Sequence, residues 1–413
     1  MQSNYKKIGD YIQKVDIRNT NLKVTNLLGL SMTKEFRPTT SNTVGTDMSV
    51  YKIMQKYQFA CDFMSPIRVN KLPVVLKLDD EPNLVSPAYP VFEVTDRNKL
   101  EPEYLMMWFR RSEFDRYATF KCDAAIRGGY DWEELCDTLI PVPSIEKQRE
   151  IVTKYNAVQN RINLNNQLIQ KLEETAQAIY KHWFIDFEFP DEDGKPYKSS
   201  GGEMIWNEEL GKEIPNRWGL TPINDLCEVT SSKRVFEHEY TSKGIPFYRG
   251  KEITQKQNGE LITEPIYISD EKYNELIKSY GKPLEGDILI TAVGTIGSTY
   301  MIRENECFYF KDGNLIWLRN FPNNEMNYIV FNFMQTKEFK DLITEITIGS
   351  TQSAITISSL KQISLLLPTR LVIKKYNNSS ISLNNLIFLY KKESQKLEEF
   401  KSLLLSKLAT IES

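Results

Sequence analysis

The stretch Ser144-IEKQREIVTKYNAVQNRINLNNQLIQKLEETAQAIYKHWFI-Asp186 follows Pro141-Val-Pro143 and contains neither glycine nor proline. At 1.5 Å per residue it predicts a helix roughly 60 Å long, well beyond an ordinary globular helix. Read at Ile151, Tyr155, Val158, Ile162, Asn165, Ile169, Leu172, Ala176, Ile179 and Trp183, its steps alternate four and three without a slip. That is a heptad seam, narrow enough to call for a partner helix instead of a broad core. A candidate partner runs from about Ser382 to Ile411, with Leu383, Leu386, Tyr390, Leu397, Phe400, Leu404, Leu408 and Ile411 apolar and Glu393 interrupting the row. The expected arrangement is an antiparallel intramolecular coiled coil in which the polar Asn165 and Glu393 cost stability and fix register. The alternative is that each helix lies on its own neighbouring domain.

Sliding the sequence against itself by 225 residues brings further features into step. Val91-Phe-Glu-Val94 meets Ile316-Trp-Leu-Arg319, Glu113-Phe114 meets Glu338-Phe339, Leu135 meets Leu360, Pro143 meets Pro368, and Lys171-Leu-Glu-Glu174 meets Lys396-Leu-Glu-Glu399. Repeated words in a constant order signal an internal repeat, which takes precedence over local assignments. The chain therefore reads as an α+β protein with a pseudo-twofold repeat: a mixed α/β domain at 1–143, a long helix at 144–186, a linker at 187–218, a second mixed α/β domain at 219–368, and a second long helix region at 369–413. Strand-like runs fall at Val24 to Leu30, Leu72 to Leu78 and Val91 to Val94, with a helix at Pro102 to Tyr117. In the second copy they fall at Ile245 to Tyr248, Asp287 to Thr291, Tyr300 to Ile302 and Asn314 to Leu318, with a helix near Glu325 to Phe339.

Composition excludes several classes. The chain has 413 residues, 41% hydrophobic and 26% charged, which is ordinary for a folded soluble protein. No apolar run approaches a membrane span, and the start of the chain does not read as a secretory signal, so a cytoplasmic location with no membrane partner is expected. Five cysteines, none in a CxxC pair, argue against a disulfide framework or a zinc knuckle, and only His182 and His238 are present as histidine ligands. Net charge is -3, so any nucleic-acid contact must come from a local patch or a basic partner.

Motifs that suggest catalysis have simpler readings. Pro190-Asp191 with Asp193-Gly-Lys195 resembles a metal-nuclease signature, yet all of it falls within one polar turn. Gly294-Thr-Ile-Gly297 follows a strand but matches neither a dinucleotide-binding nor a phosphate-binding loop; a tight turn presenting hydroxyls and amides is expected. Ser86-Pro-Ala-Tyr89 lacks the pattern of a base-methyltransferase loop. Neither histidine has a neighbouring nucleophile pattern, so no catalytic residue and no metal ligand is assigned.

What recurs instead are polar, glycine-bearing segments at corresponding points of the two domains. In the first these are Ser31 to Gly45, Arg68 to Lys71 and Lys121 to Tyr130; in the second, Arg249 to Asn258, Thr291 to Thr299 and Gly349 to Ser353. Their Arg, Lys, Asn, Gln, Ser and Thr side chains suit phosphates and base edges, although such residues are also normal turn formers. The candidate DNA contacts are Lys34, Arg37, Asn42, Thr43, Arg68, Asn70, Arg127, Tyr130, Arg249, Lys251, Thr291, Thr295, Ser298, Ser350, Thr351 and Gln352. Candidate helix-pairing residues are Val158, Ile162, Asn165, Ile169, Leu172, Ile179, Leu383, Leu386, Tyr390, Leu397 and Leu404.

The order of these features resembles the specificity subunit of a type I restriction-modification system. The resemblance rests on Leu139-Ile-Pro-Val-Pro-Ser-Ile-Glu-Lys-Gln-Arg-Glu-Ile-Val152 leading into the long helix, Tyr180-Lys-His-Trp-Phe-Ile-Asp-Phe187 at its end, and Ile214-Pro-Asn-Arg-Trp218 opening the second domain. Gly286-Asp-Ile-Leu-Ile290 with Gly294-Thr-Ile-Gly297, Gly349-Ser-Thr-Gln352, and Val85-Ser-Pro-Ala-Tyr-Pro-Val-Phe92 add to it. It implies a non-catalytic chain with two target-recognition domains, each reading one half of a bipartite double-stranded DNA site, spaced by the paired helices. It also implies two methyltransferase subunits and restriction/translocase subunits as partners, which would carry S-adenosylmethionine, ATP and Mg; no cofactor is expected in this chain. Two departures stand out: the start of the second helix reads Leu366-Leu-Pro-Thr-Arg-Leu-Val-Ile373, and Ile126-Arg-Gly-Gly129 stands where a counterpart of Gly349-Ser-Thr-Gln352 is expected. The competing readings are a protein-protein scaffold with paired helices and no sequence-specific DNA reading, and an enzyme acting by itself.

Overall fold

The computed structural model describes residues 5–39, 45–123, 130–348 and 354–410. The chain forms two compact units, Met1–Ile162 with Leu397–Ser413, and Asn163–Lys396. The helices Ile145–Tyr180 and Arg370–Lys407 each contribute to both.

In the first unit a four-stranded antiparallel sheet has the order Ile12–Val15, Val91–Val94, Gln58–Cys61, Val74–Leu76. Alternate side chains point to opposite faces, as a pleated strand requires. Phe59, Cys61, Phe92, Val94, Val74 and Leu76 join the core beneath the helices, while Ala60, Val75 and Val91 join Leu30, Met54 and Val85 on the other face. The helix expected over Pro102 to Tyr117 is two helices, Pro102–Phe109 and Ser112–Asp123. The chain turns at Arg110-Arg111, where Arg111 N donates to Trp108 O (3.2 Å) and Phe109 meets Phe114 at 5.0 Å.

The second unit repeats this plan. Its sheet order is Glu228–Thr230, Leu315–Arg319, Ile288–Thr291, Thr299–Met301, again antiparallel. Ile288, Ile290, Ile316 and Leu318 face the helical core, and Leu289, Leu315 and Trp317 face the other side. The expected helix at Glu325 to Phe339 is likewise two, Asn324–Gln335 and Lys337–Ile348. Thr336 divides them, its hydroxyl donating to Phe333 O (2.7 Å) and accepting from Phe339 N (3.2 Å) as an N-cap does. The helix starts at Ser112 and Lys337, Trp132 and Ile357, and Ile145 and Arg370 all keep the 225-residue offset. Leu135 and Leu360, matched in the sequence, are both fully buried. An additional sheet, ordered Tyr240–Thr241, Ile266–Ile268, Ile245–Tyr248, Tyr309–Phe310, is present in the second unit.

The long helices are rooted in these cores. Val152, Tyr155 and Leu408 belong to the first unit's core. Tyr180, Phe184, Val372, Ile373 and Tyr376 belong to the second's, where Tyr376 lies edge-on to Phe184 at 4.8 Å and to Trp183 at 5.6 Å. Residues 187–218 are also partly core, with Phe189 stacked on Trp218 at 4.9 Å.

Within the second unit the helices run antiparallel: Asn165 Nδ2 donates to Glu393 Oε2 (3.1 Å), Lys391 pairs with Glu173 (2.9 Å), and Tyr180 meets Tyr376 (6.2 Å). Within the first unit Lys401 Nζ donates to Gln159 Oε1 (3.0 Å). Val158, Ile162, Asn165 and Ile169 are buried, and Leu172 and Ile179 half-buried, as the seam requires. The C-terminal helix begins at Arg370, at the start of the expected 369–413 region and ahead of the apolar row from Ser382, and although Leu383, Tyr390, Leu397 and Leu404 are half-buried, Leu386 and Phe400 are exposed. Its buried positions include Asn377, Ser380, Asn384 and Ser394. In the second unit this helix serves two neighbours, and it meets helix Asn324–Gln335 through polar groups: Asn377 Nδ2 donates to Glu325 O (2.7 Å), while Asn332 Nδ2 donates to Ser380 Oγ (2.5 Å) and Asn384 Nδ2 to Asn332 Oδ1 (3.1 Å).

Candidate nucleic-acid interface

In the second unit, four segments converge where the parallel strands Ile245–Tyr248 and Tyr309–Phe310 end. Ser231 Oγ and Ser232 Oγ donate to Leu315 O and Phe310 O, each at 2.7 Å. Lys311 N donates to Tyr248 O (2.9 Å), Ala292 N to Asn314 O (2.8 Å), and Ile355 N to Ala292 O (3.0 Å). Segments 231–234, 249–254, 291–298 and 311–314 therefore share one end of the sheets, residues 354–355 enter beside them, and the chain after Arg234 runs on to Tyr240, which pairs with Ile268 level with the start of strand Ile245–Tyr248.

Arg249 leaves the strand and caps a helix, so the segment expected as a polar loop from Arg249 to Asn258 is the helix Gly250–Asn258. The acidic residue three positions on explains this. Arg249 N donates to Glu252 Oε2 (2.8 Å) and its guanidinium donates to both Glu252 oxygens (2.7 and 3.2 Å). Burial alone would raise the Glu252 carboxyl, but these bonds bring it below its ordinary value, and they hold Arg249 above its own. The helix ends at Gly259, whose φ of 74° is the left-handed conformation that glycine supplies without a Cβ penalty.

Thr291 is fully buried; its hydroxyl donates to Thr295 O and accepts from Ser298 N (2.9 Å), closing the turn through Gly294 and Gly297. Thr295 is exposed and its Oγ1 lies 2.6 Å from Thr254 Oγ1, joining this turn to helix Gly250–Asn258. Ser298 is half-buried, whereas Lys251 is exposed. Lys233, Lys251 and Lys311 have no ion-pair partner among the described residues. Reasoning from the sequence missed Lys233, Arg234, Phe236 and Lys311. The Lys233-Arg234 doublet beside an aromatic was the available signal, but it has no counterpart in the repeat.

In the first unit the candidates divide by burial. Lys34, in a left-handed conformation (φ 64°), is buried; its ammonium donates to Phe109 O and pairs with Asp115 at 2.8 Å. Burial lowers this ammonium from its ordinary value, and Asp115 counters the shift. Tyr130 is a core residue, its hydroxyl 3.1 Å from Thr138 Oγ1 and its ring edge-on to Phe63 at 5.6 Å. Arg37, on strand Phe36–Pro38, is exposed and donates Nε to Leu30 O (3.1 Å). Arg68 is exposed in the last turn of helix Ser65–Val69, and exposed Asn70 ends that helix with φ 54°. Asn42, Thr43, Arg127, Ser350, Thr351 and Gln352 lie outside the described residues.

The surfaces thus offer ammonium, guanidinium, hydroxyl and amide donors. Asp191 closes its own turn, accepting from Asp193 N (2.9 Å) and Lys195 N (2.8 Å). Among the described residues no three of His, Cys, Asp and Glu are grouped to hold a metal ion, and no helix is long and apolar enough to cross a membrane.

The sequence profile of the family Methylase_S, described as Type I restriction modification DNA specificity domain, matches residues 215–370. The type I restriction enzyme MjaIX specificity subunit of Methanocaldococcus jannaschii is 27% identical over 316 residues, a span covering 74% of this chain and 68% of that protein. The putative type I restriction enzyme specificity subunit S.HindORF215P of Haemophilus influenzae is 29% identical over 175 residues, covering 42% of this chain and 40% of the relative. A crystal structure of the type I restriction-modification S subunit from M. genitalium shares the fold, with a TM-score of 0.57 at 14% identity over 99% of this chain and 96% of that one. With a mixed helix-and-sheet plan written twice, two long paired helices, and a specificity-domain sequence over the second copy, this chain is a homologue of the type I restriction-modification specificity subunits.

Proposed function

We propose that this chain is the DNA-reading, non-catalytic subunit of a type I restriction-modification complex, each unit recognising one half of a bipartite double-stranded site. The observation that carries this is the convergence of segments 231–234, 249–254, 291–298 and 311–314 at one end of the second unit's sheets, inside the span matched by the specificity-domain profile. Hydroxyls and backbone turns fixed by internal bonds, with exposed Lys233 and Lys251 beside them, suit a surface that positions itself on phosphates and reads base edges. Thr291 builds that surface, its hydroxyl being committed to the turn, and Arg249 is oriented on it by the bonds of its Nε and Nη2 to Glu252.

The partners would be two methyltransferase subunits, with restriction/translocase subunits in the cleaving assembly, and these would bring S-adenosylmethionine, ATP and Mg. The C-terminal helix supports docking, exposing Leu386 and Leu389 in the second unit and Phe400 and Leu403 in the first. Coexpression with the cognate methyltransferase, followed by methylome sequencing, tests the proposal. Methylation at one bipartite motif, lost when this chain is omitted, is the expected result; motif-independent methylation, or none, overturns it.

A further inference from the structure

Phe236 is 54% exposed, yet the turn that carries it is held at every side. On its N-terminal side Ser231 and Ser232 are bonded to the ends of neighbouring strands, and Val235, only 2% exposed, is packed with Phe247, Ile268, Leu276 and Tyr309. On its C-terminal side Phe236 N donates to Glu239 Oε2 (2.8 Å) and Glu239 N to Phe236 O (2.9 Å), while Glu239 is pinned by Lys272 at 2.9 Å. An exposed ring forgoes about 1.5–3 kcal/mol that its burial would contribute. A rigid turn that presents it to water is therefore built for something other than folding.

Charge and ring geometry narrow the occupant. In a chain of net charge -3, exposed Lys233 and Arg234 precede Phe236, and Lys311 lies on the adjoining segment. Arg234 touches Asp312 only loosely, at 3.9 Å, and exposed Glu237 is the acid on the turn itself that no ion pair engages among the described residues. Such a rim favours a polyanion. His238 stacks on one face of Phe236, with centroids 5.7 Å apart and planes 12° apart. A wedge between base pairs needs both ring faces free, whereas an apolar contact to a thymine methyl in the major groove needs only one face or an edge.

Resting on the DNA-reading function above, we propose that Lys233–His238 is a base-contacting rib of the second unit: Phe236 packs on the 5-methyl of a thymine in its half-site, and Lys233, Arg234 and Lys311 contact flanking phosphates. The test uses the full chain copurified with its methyltransferase partner and duplexes carrying the motif found by methylome sequencing, with each thymine of one half-site replaced in turn by uracil. For the wild-type chain, uracil at one position weakens binding about fourfold, the value of one buried methyl. Phe236→Ala binds the thymine duplex about fourfold more weakly and no longer distinguishes uracil. Arg234→Ala weakens both duplexes equally and flattens the salt dependence, as loss of a phosphate contact does. An unchanged melting temperature for Phe236→Ala separates these effects from misfolding. The rib is ruled out if Phe236→Ala leaves affinity unchanged, or weakens thymine and uracil duplexes alike, while the motif is still read. Loss of motif preference in the wild-type complex would defeat the underlying function as well.

Discussion

Asp115 is the acceptor around which one corner of the first unit is assembled: it takes the Lys34 ammonium at 2.8 Å and Leu72 N at 3.0 Å, and Lys34 also donates to Phe109 O. The Lys34 side chain is 5% exposed, so removing Asp115 strands a cation in low dielectric. Asp115→Ala should cost about 3–5 kcal/mol in denaturant unfolding of the full chain, and Lys34→Met less, because Asp115 keeps the Leu72 amide. A cost below about 1 kcal/mol for Asp115→Ala would show that the pair is not the constraint described. The same residue marks where sequence reading stops. Lysine in a polar, glycine-bearing stretch is an ordinary phosphate candidate, and only burial by the distant Phe109–Asp115 segment redirects it inward. Tyr130 is similar, since nothing local announces that its hydroxyl will meet Thr138. Thr295, by contrast, sits in the exposed position its turn context suggested, and Lys251 is exposed although its segment is a helix and not the expected loop.

At the scale of elements, the central helix was legible because its apolar seam keeps one register from Tyr155 in the first unit's core to Ile179 beside the second's, with Asn165 as its polar exception. The C-terminal helix was legible in part. Of its apolar row Leu383, Tyr390, Leu397 and Leu404 are half-buried and Leu408 is buried, yet Leu386 and Phe400 are exposed, as are Leu389 and Leu403 beside them, while several amides and hydroxyls are buried. Periodicity reports that a helix has an apolar face; it does not report whether that face meets this chain or another. The two breaks in the seam were read correctly as a pair of exceptions, for Asn165 is fully buried and donates to Glu393 across the helices. A polar contact in an otherwise apolar seam sets register at the expense of stability. In a double-mutant cycle, Asn165→Leu and Glu393→Leu should couple by about 1–2 kcal/mol, as a hydrogen bond to a charged group does. The double variant should melt above the wild type, because the buried polar pair is replaced by apolar contact. Additive single effects, or a double variant less stable than either single one, would count against this role.

For the whole molecule, the repeat was the most informative feature of the sequence, since the two copies share a strand order, and the 225-residue offset carries over to several helix starts and to the buried Leu135 and Leu360. The offset breaks where the copies differ: the second has the sheet containing Tyr240–Thr241 and Ile266–Ile268, beside the surface proposed to read DNA, and the first has the paired strands Leu28–Leu30 with Phe36–Pro38 and Lys52–Met54 with Asn83–Val85 and the short helix Ser65–Val69. Divergence is expected there: two half-sites of different sequence need different reading surfaces on a common scaffold. The proposal also assigns the helices a metric task. If each unit reads one half-site and the helices set the interval, deleting seven residues from each helix in register removes about 10 Å at 1.5 Å per residue. At a rise of 3.4 Å per base pair, the motif's spacer should shorten by about three base pairs while both half-sites keep their sequence. Two full helical turns are lost, so the heptad seam is restored on either side of the deletion and the paired faces stay matched. Methylome sequencing of the deletant reads spacer and half-sites together. Full activity at the original spacer would mean that the half-site interval is set by something other than helix length, and altered half-sites at a shortened spacer would mean that the units do not read independently.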